Sequence, residues 1–273
     1  MADFRSAVKA LRRNNFRPPY GALTTAGDTL TWIDLVGFCL LMPHARMTLP
    51  NLAENTEGRF RLWRDALVES RQIYYGRTFR QRAGFVSLNL LPALYALSPT
   101  AEYGGDRFQL YQHRFISADA NRIAGIVLAK GPLPSRTLQR ESGMAGASHQ
   151  YRFRHALIEA EARFLIAKTG MTQIKESNYT NQWDALVRHL PQIPEQAASI
   201  SVEDAARQVL TRYVKLVGAA IPSEMTRTLR LNLEFVRYML NDLTTSGQLR
   251  THKYNRIEYA ISHDLAARMG LDG

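Results

Sequence analysis

The sequence predicts an α+β chain, mostly helical with short β-hairpins, in which one structural unit is used three times. Three observations carry that expectation. A proline corner recurs in "TLPN", "LPSR" and "IPSE", with Pro50, Pro134 and Pro222 lying 84 and 88 residues apart. An apolar helical segment precedes each corner: "TWIDLVGFCLLM", "ANRIAGIVLAKG" and "AARQVLTRYVKLVGA". Beyond each corner and a short second helix comes a longer third helix that runs into β-type residues.

In order along the chain, residues 1–27 read as a basic N-terminal arm. Arg5, Lys9, Arg12, Arg13 and Arg17 are spaced to lie on one helix, which would follow a polyanionic partner or fray as a tail. At the corners, proline fixes φ beside a Ser or Asn whose side chain can cap free amides, which is how helices start. The third helices are "RFRLWRDALVESR", "YRFRHALIEAEARF" and "LEFVRYMLNDLTTSG", running into "IYYGRTF", "FLIAKTG" and "QLRTHKYNRIEYAI". Spacing predicts that the first buries Phe60, Trp63 and Leu67 and leaves Arg61, Asp65 and Glu69 outward. The second buries Phe153, Ala156, Leu157, Ala160 and Phe164, with Arg152, Arg154, His155 and Glu159 at the margins. The third presents Glu234, Arg237, Tyr238 and Asn241, and packing against protein is an equal reading for it. Helix, corner, helix, longer helix and hairpin is the order of a winged helix-turn-helix. The sequence therefore predicts three tandem winged helix-turn-helix units, residues 28–116, 117–199 and 200–273.

Charge narrows the partner. The formal net charge is +11, and the 35 basic residues are 29 arginines and 6 lysines. Such a balance favours a polyanion, and guanidinium forks suit phosphates and guanine edges. The longest apolar run, "LVGFCLLMP", is too short to span a bilayer, and the N-terminus lacks a signal-peptide core, so a cytoplasmic, nucleoid-associated place is expected. The lone Cys39 excludes an internal disulfide and a multi-cysteine zinc site. Seven scattered histidines give no ligand spacing, and there is no phosphate-cradling Gly-rich Lys loop or nucleophile elbow. No metal or cofactor is expected.

Basic density peaks from Arg59 to Arg82, where seven arginines face two acids and Tyr74, Tyr75 and Phe79 interleave. That mixture suits phosphate contacts with aromatic support. With double-stranded DNA as the partner, the candidate contacts are Arg59, Arg61, Arg64, Arg77, Arg80, Arg82, Arg136, Arg140, Arg152, Arg154, His155, Lys253 and Arg256. Trp63 and Trp183 read as core or interface residues. No heptad or other feature sets the oligomeric state.

The segment "LWRDALVESRQIYYGRTFRQRAGFVSLNLLPALYALSP" resembles a bacterial family of winged helix DNA-binding proteins related to AlkZ and YcaQ. The similarity continues through "GPLPSRTLQRESG", "FRHALIEAEARFLIAKTG" and "DAARQVLTRYVKLVGAA", covering most of the chain from about Thr31. The resemblance implies tandem winged helix units around a channel for duplex DNA. Some of these relatives are glycosylases that unhook crosslinks with a Gln-x-Gln or Gln-x-Asp pair. No such pair is recognised in this sequence, and "GFCLLMPHARMTLPN", after the first long helix, holds no glutamine or carboxylate. Asp34, Asp65 and Glu69 are candidate catalytic carboxylates, at helical positions where solvation or helix pairing explains them equally well. The resemblance thus supports a DNA-binding protein of repair or protection. The alternatives are a DNA N-glycosylase for bulky, alkylated or crosslinked bases, and a winged helix transcriptional regulator or assembly protein.

Overall fold

The computed structural model describes residues 3–56, 60–175 and 178–271. After α1 (Phe4–Asn15) the first unit comprises α2 (Ala26–Val36), β1 (Phe38–Leu40), a 3-10 turn Ala53–Asn55, α3 (Phe60–Glu69), β2 (Ile73–Phe79) and β3 (Arg82–Ser87). Three short helices follow: α4 (Leu91–Ala96), α5 (Pro99–Glu102) and α6 (Arg107–Gln112). The second unit has α7 (Ala118–Lys130), β4 (Leu133–Pro134), α8 (Ser135–Glu141), α9 (Gln150–Ala162), β5 (Ile166–Lys175) and β6 (Asn178–Ala185). After α10 (Leu186–His189) and α11 (Gln192–Ala197), the third has α12 (Val202–Val217), β7 (Ala219–Ala220), α13 (Pro222–Leu229), α14 (Leu233–Thr245), β8 (Arg250–Tyr254) and β9 (Ile257–Ile261). The chain ends its described part with α15 (His263–Arg268).

The repeat is visible in the pairing. All three sheets are antiparallel, with the short strand after the first helix added to the second strand of the hairpin: β1-β3-β2, β4-β6-β5 and β7-β9-β8. The expected mostly helical α+β class is the one observed. Helix starts follow the local chemistry. Thr25 and Asp28 form a reciprocal capping box on α2, and Ser117, Ser201 and Asn232 cap α7, α12 and α14 with their side chains. Gly37 and Gly218 end α2 and α12 at φ 84° and 79°, a turn closed to most side chains. A Cβ at Gly218 would stand 2.7 Å from Leu11.

The proline corners are less alike than their spacing suggests. Pro134 and Pro222 stand at the starts of α8 and α13, but Pro50 leads only to the 3-10 turn. In the first unit Leu40 donates to the Pro50 carbonyl at 2.8 Å and accepts from Leu52 at 2.9 Å. Residues 41–50 therefore loop out before the corner, and the second helix shrinks to one turn.

Units one and three share a core. Trp32, Ile33, Phe38 and Phe79 pack with Val209, Tyr213, Met225 and Met239, together with Leu94 of α4 and Ile193 of α11. The second unit has its own core around Ile123, Val127, Leu138, Leu157 and Trp183. Leu110 and Ile116 belong to that second core, so its residues begin before position 117.

The basic N-terminal segment, from residue 3 on, does not form a free arm. Helix α1 buries Phe4, Ala7, Val8 and Leu11 at i, i+3, i+4 and i+7 against Ala219, Ile261 and Leu265. The Phe4 ring lies 4.9 to 5.0 Å from those of His252, Tyr254 and Tyr259. Arg12 donates to the carbonyls of Val217 (2.7 Å) and Ala219 (3.2 Å), and Asn15 to Lys215 (2.8 Å). These donors satisfy carbonyls left open at the end of α12. Burial lowers the Arg12 pKa, and Arg12 serves the fold.

Candidate nucleic-acid interface and the cavity between two units

The hairpin turns carry cations at backbone positions that favour glycine. In the β2–β3 turn Arg80 and Gln81 have φ 48° and 61°, and in the β8–β9 turn Asn255 and Arg256 have φ 48° and 67°. Two-residue hairpin turns with both φ positive usually contain Gly, so Arg80, Gln81 and Arg256 are held in strained backbone. Arg82, Lys253 and Arg256 are exposed. Arg80 donates to the Arg46 carbonyl at 3.1 Å. His44 sits beside this group, held below its ordinary pKa by lost hydration and then by Arg82, Arg80 and Arg46. Sequence spacing passed over His44 and Arg46, because only the loop after β1 folds them back to the hairpin.

On the second unit, the apolar stripe of α9 is buried as spacing predicts: Phe153, Ala156, Leu157 and Ala160, with Phe164 just beyond. Arg154 and His155 of α9 and Arg136 and Arg140 of α8 are exposed, with no carboxylate at ion-pair distance among the described residues. Arg152 is different. Its guanidinium makes two bonds to Asp119, one of 2.7 Å, and is spent on fixing α9 to α7.

The first unit's third helix faces protein. Helix α3 packs on β5 of the second unit, so the expectation of an outward Asp65 is corrected. Asp65 takes two bonds from Arg64 (2.8 and 2.7 Å) and one from Lys168 (3.3 Å). Burial raises the Asp65 pKa, but Arg64 and Lys168 outweigh it and hold the carboxylate below its ordinary range. Glu69 accepts from the Met171 backbone at 3.3 Å, close to Gly170, where a Cβ would stand 2.7 Å from the Glu69 side chain. Arg64, tied to Asp65 and lying 5.7 Å over the Tyr75 ring, is an interunit residue. Of the remaining candidates, Arg59 and the side chain of Arg61 lie outside the described residues.

Where the two units meet, a cavity of about 230 Å³ opens between β2, α9 and β5. Arg64, Arg77, Arg154, Glu161, Lys168 and Trp183 are among the residues that line it. Glu161, with 4% of its side chain exposed, stands 3.6 Å from Arg77. Burial pushes its carboxyl up to about 8, against the pull of Arg77 and Lys168. Burial lowers the Lys168 pKa, as does the charge of Arg64.

A family model described as AlkZ related matches residues 23–230. The chain belongs to this family. The solved structure of the Streptomyces sahachiroi DNA glycosylase AlkZ shares its fold, with a TM-score of 0.60 and 14% identity. That match covers 98% of this chain and 72% of the other. No curated protein matches.

This AlkZ-related chain does contain one Gln-x-Asp, contrary to the sequence expectation: Gln182-Trp183-Asp184 in β6. Alternation along a strand sends Gln182 and Asp184 to the face opposite Trp183, and it is Trp183 that lines the cavity. Asp184 is 7% exposed, accepts from Arg188 at 2.8 and 2.6 Å and from the Ala185 amide at 2.8 Å. Arg188 in turn donates to the Val127 carbonyl at 2.8 Å. The carboxylate thus pins α10 to the end of α7. In β1, after the first long helix, Phe38, Cys39 and Leu40 are all buried and apolar. Among the described residues no three His, Cys, Asp or Glu side chains form a metal cluster, and no helix is long and apolar enough to cross a membrane.

Proposed function

We propose that this protein binds double-stranded DNA in repair or protection, docking three winged helix units on the duplex by phosphate contacts. The observation that carries this reading is a division among its cations. Arg64 and Arg152 are neutralised by carboxylates and Arg77 turns toward Glu161, whereas Arg82, Arg136, Arg140, Arg154, His155, Lys253 and Arg256 are exposed and have no ion pair among the described residues. Unpaired exposed guanidiniums release counterions from a duplex without first breaking an internal bridge. The hairpins carrying Arg80, Arg82 and Arg256 act as wings, and α9 presents Arg154 and His155. Family membership and the fold shared with a DNA glycosylase agree with this assignment. Binding without base excision is favoured, because the Asp184 carboxylate of the one Gln-x-Asp is held by Arg188 and the Ala185 amide, and β1 is buried and apolar.

The test is an electrophoretic shift with plain duplex, comparing wild type with the joint substitution of Arg82, Arg136, Arg154 and Arg256 by Ala. Loss of the shifted species supports the reading, and an unchanged shift refutes it. Incubation with alkylated duplex, followed by alkali, addresses excision: the account expects no abasic sites.

A further inference from the structure

The cavity between the first and second units has more cationic donors than the protein satisfies. Lys168 has 5% of its side chain exposed, yet its ammonium makes one hydrogen bond, 3.3 Å to Asp65, and otherwise faces the Tyr75 ring at 5.3 Å. An ammonium has three N–H groups, and burying two without acceptors is costly. Arg77 has a long 3.6 Å contact with Glu161 and one bond to the Gln81 carbonyl. Arg154 lines the same space and has no ion-pair partner among the described residues. Among the described residues, Asp65 and Glu161 are the carboxyl groups set against Arg64, Arg77, Arg154 and Lys168, so the described site keeps at least two positive charges in excess.

We propose that this cavity binds one phosphoryl group, held by Arg154, Arg77 and Lys168, with the attached organic portion against Tyr75 and Trp183. A dianion matches the charge excess better than a singly charged carboxylate, and donors on three elements suit a tetrahedral group. Glu161, with its carboxyl up to about 8, is protonated at neutral pH and adds a donor where an ionised acid would repel the ligand. Tyr75 and Trp183 also line the cavity and place aromatic surface beside the group. The pocket shares the exposed Arg154 with the proposed duplex surface, whereas Arg77 and Lys168 belong to the seam between the two units, so phosphate binding is measured without DNA.

The test is calorimetric titration of the full chain with inorganic phosphate and with a nucleoside 5′-monophosphate, without DNA. Saturable one-site binding is expected, weakened about 10-fold or more in Arg154→Ala, which removes one charge-assisted contact from an exposed position. Lys168→Met should abolish it. Since Lys168 is buried, circular dichroism of that variant is recorded alongside, and Arg154→Ala decides the matter if Lys168→Met unfolds. Arg237→Ala, paired with Glu234 on α14, should bind as wild type. Competition by 5′-phosphorylated but not 5′-hydroxyl duplex would assign the group to a DNA end, and competition by the mononucleotide alone to a free nucleotide. Either outcome supports the pocket. Absence of saturable phosphate binding, or binding unaltered by Arg154→Ala, would overturn it whether or not the protein binds duplex.

Discussion

Glu161→Gln keeps the size of the buried side chain and removes its titration, so it isolates one charge between the two units. The wild-type carboxyl ionises near 8 in the fold, against 4.5 ordinarily. A raised folded pKa means that the native state holds the proton more tightly than the unfolded chain. Stability from this group is therefore complete below 4.5 and is lost as pH climbs to about 8. Each pH step across that window costs roughly 1.4 kcal/mol, so the whole passage is worth on the order of 5 kcal/mol as an upper limit. Relaxation of Arg77, whose side chain is 31% exposed, reduces it. Urea unfolding of wild type and variant at intervals from pH 5 to 9 measures the difference. His189, held below its ordinary pKa by burial and by Arg71, contributes an opposite slope that is common to both proteins and cancels. The variant should match wild type near pH 5 and exceed it increasingly toward pH 9. A difference that is flat with pH, or that favours wild type at high pH, would refute the neutral buried carboxyl.

Other expectations follow from particular contacts. Arg12→Ala leaves the Val217 and Ala219 carbonyls without their donor and should destabilise the protein by about 1–3 kcal/mol in thermal unfolding. Cys39, buried in β1 with its thiol pKa pushed far up by burial, should react with a thiol reagent only after denaturation. Arg154→Ala should lower the salt dependence of duplex binding by about 0.9 in log–log slope, while Arg152→Ala, already bridged to Asp119, should leave it unchanged.

The parts of the fold that are local chemistry can be read directly from the chain. Helical periodicity announces the α9 stripe from Phe153 to Ala160, and the residues after each third helix do form hairpins. What depends on neighbours distant in sequence cannot be read that way. Asp65 looks like a solvated helix carboxylate until β5 brings Lys168 to it from 103 residues away. The five cations near the N-terminus look like an arm, yet the pattern Phe4, Ala7, Val8 and Leu11 among them is an ordinary core stripe whose partner lies more than two hundred residues on. Pro50 shares the spacing of the other corners, yet it stands at the far end of the loop after β1 and leads to a 3-10 turn, a difference set by the Leu40–Pro50 and Leu52–Leu40 backbone bonds and not by local sequence. Glu161, four residues after Leu157, falls at the edge of the α9 stripe, but spacing alone does not show that it faces the seam between units.

The most direct test of the central claim is the affinity of wild type for a plain duplex, measured by fluorescence anisotropy across 50 to 200 mM salt, roughly the span over which counterion release is decisive. With about five to seven phosphate contacts made, the log–log slope should fall between about −4.5 and −6.3. A slope near zero, or no duplex binding even at the lowest salt, would contradict the account.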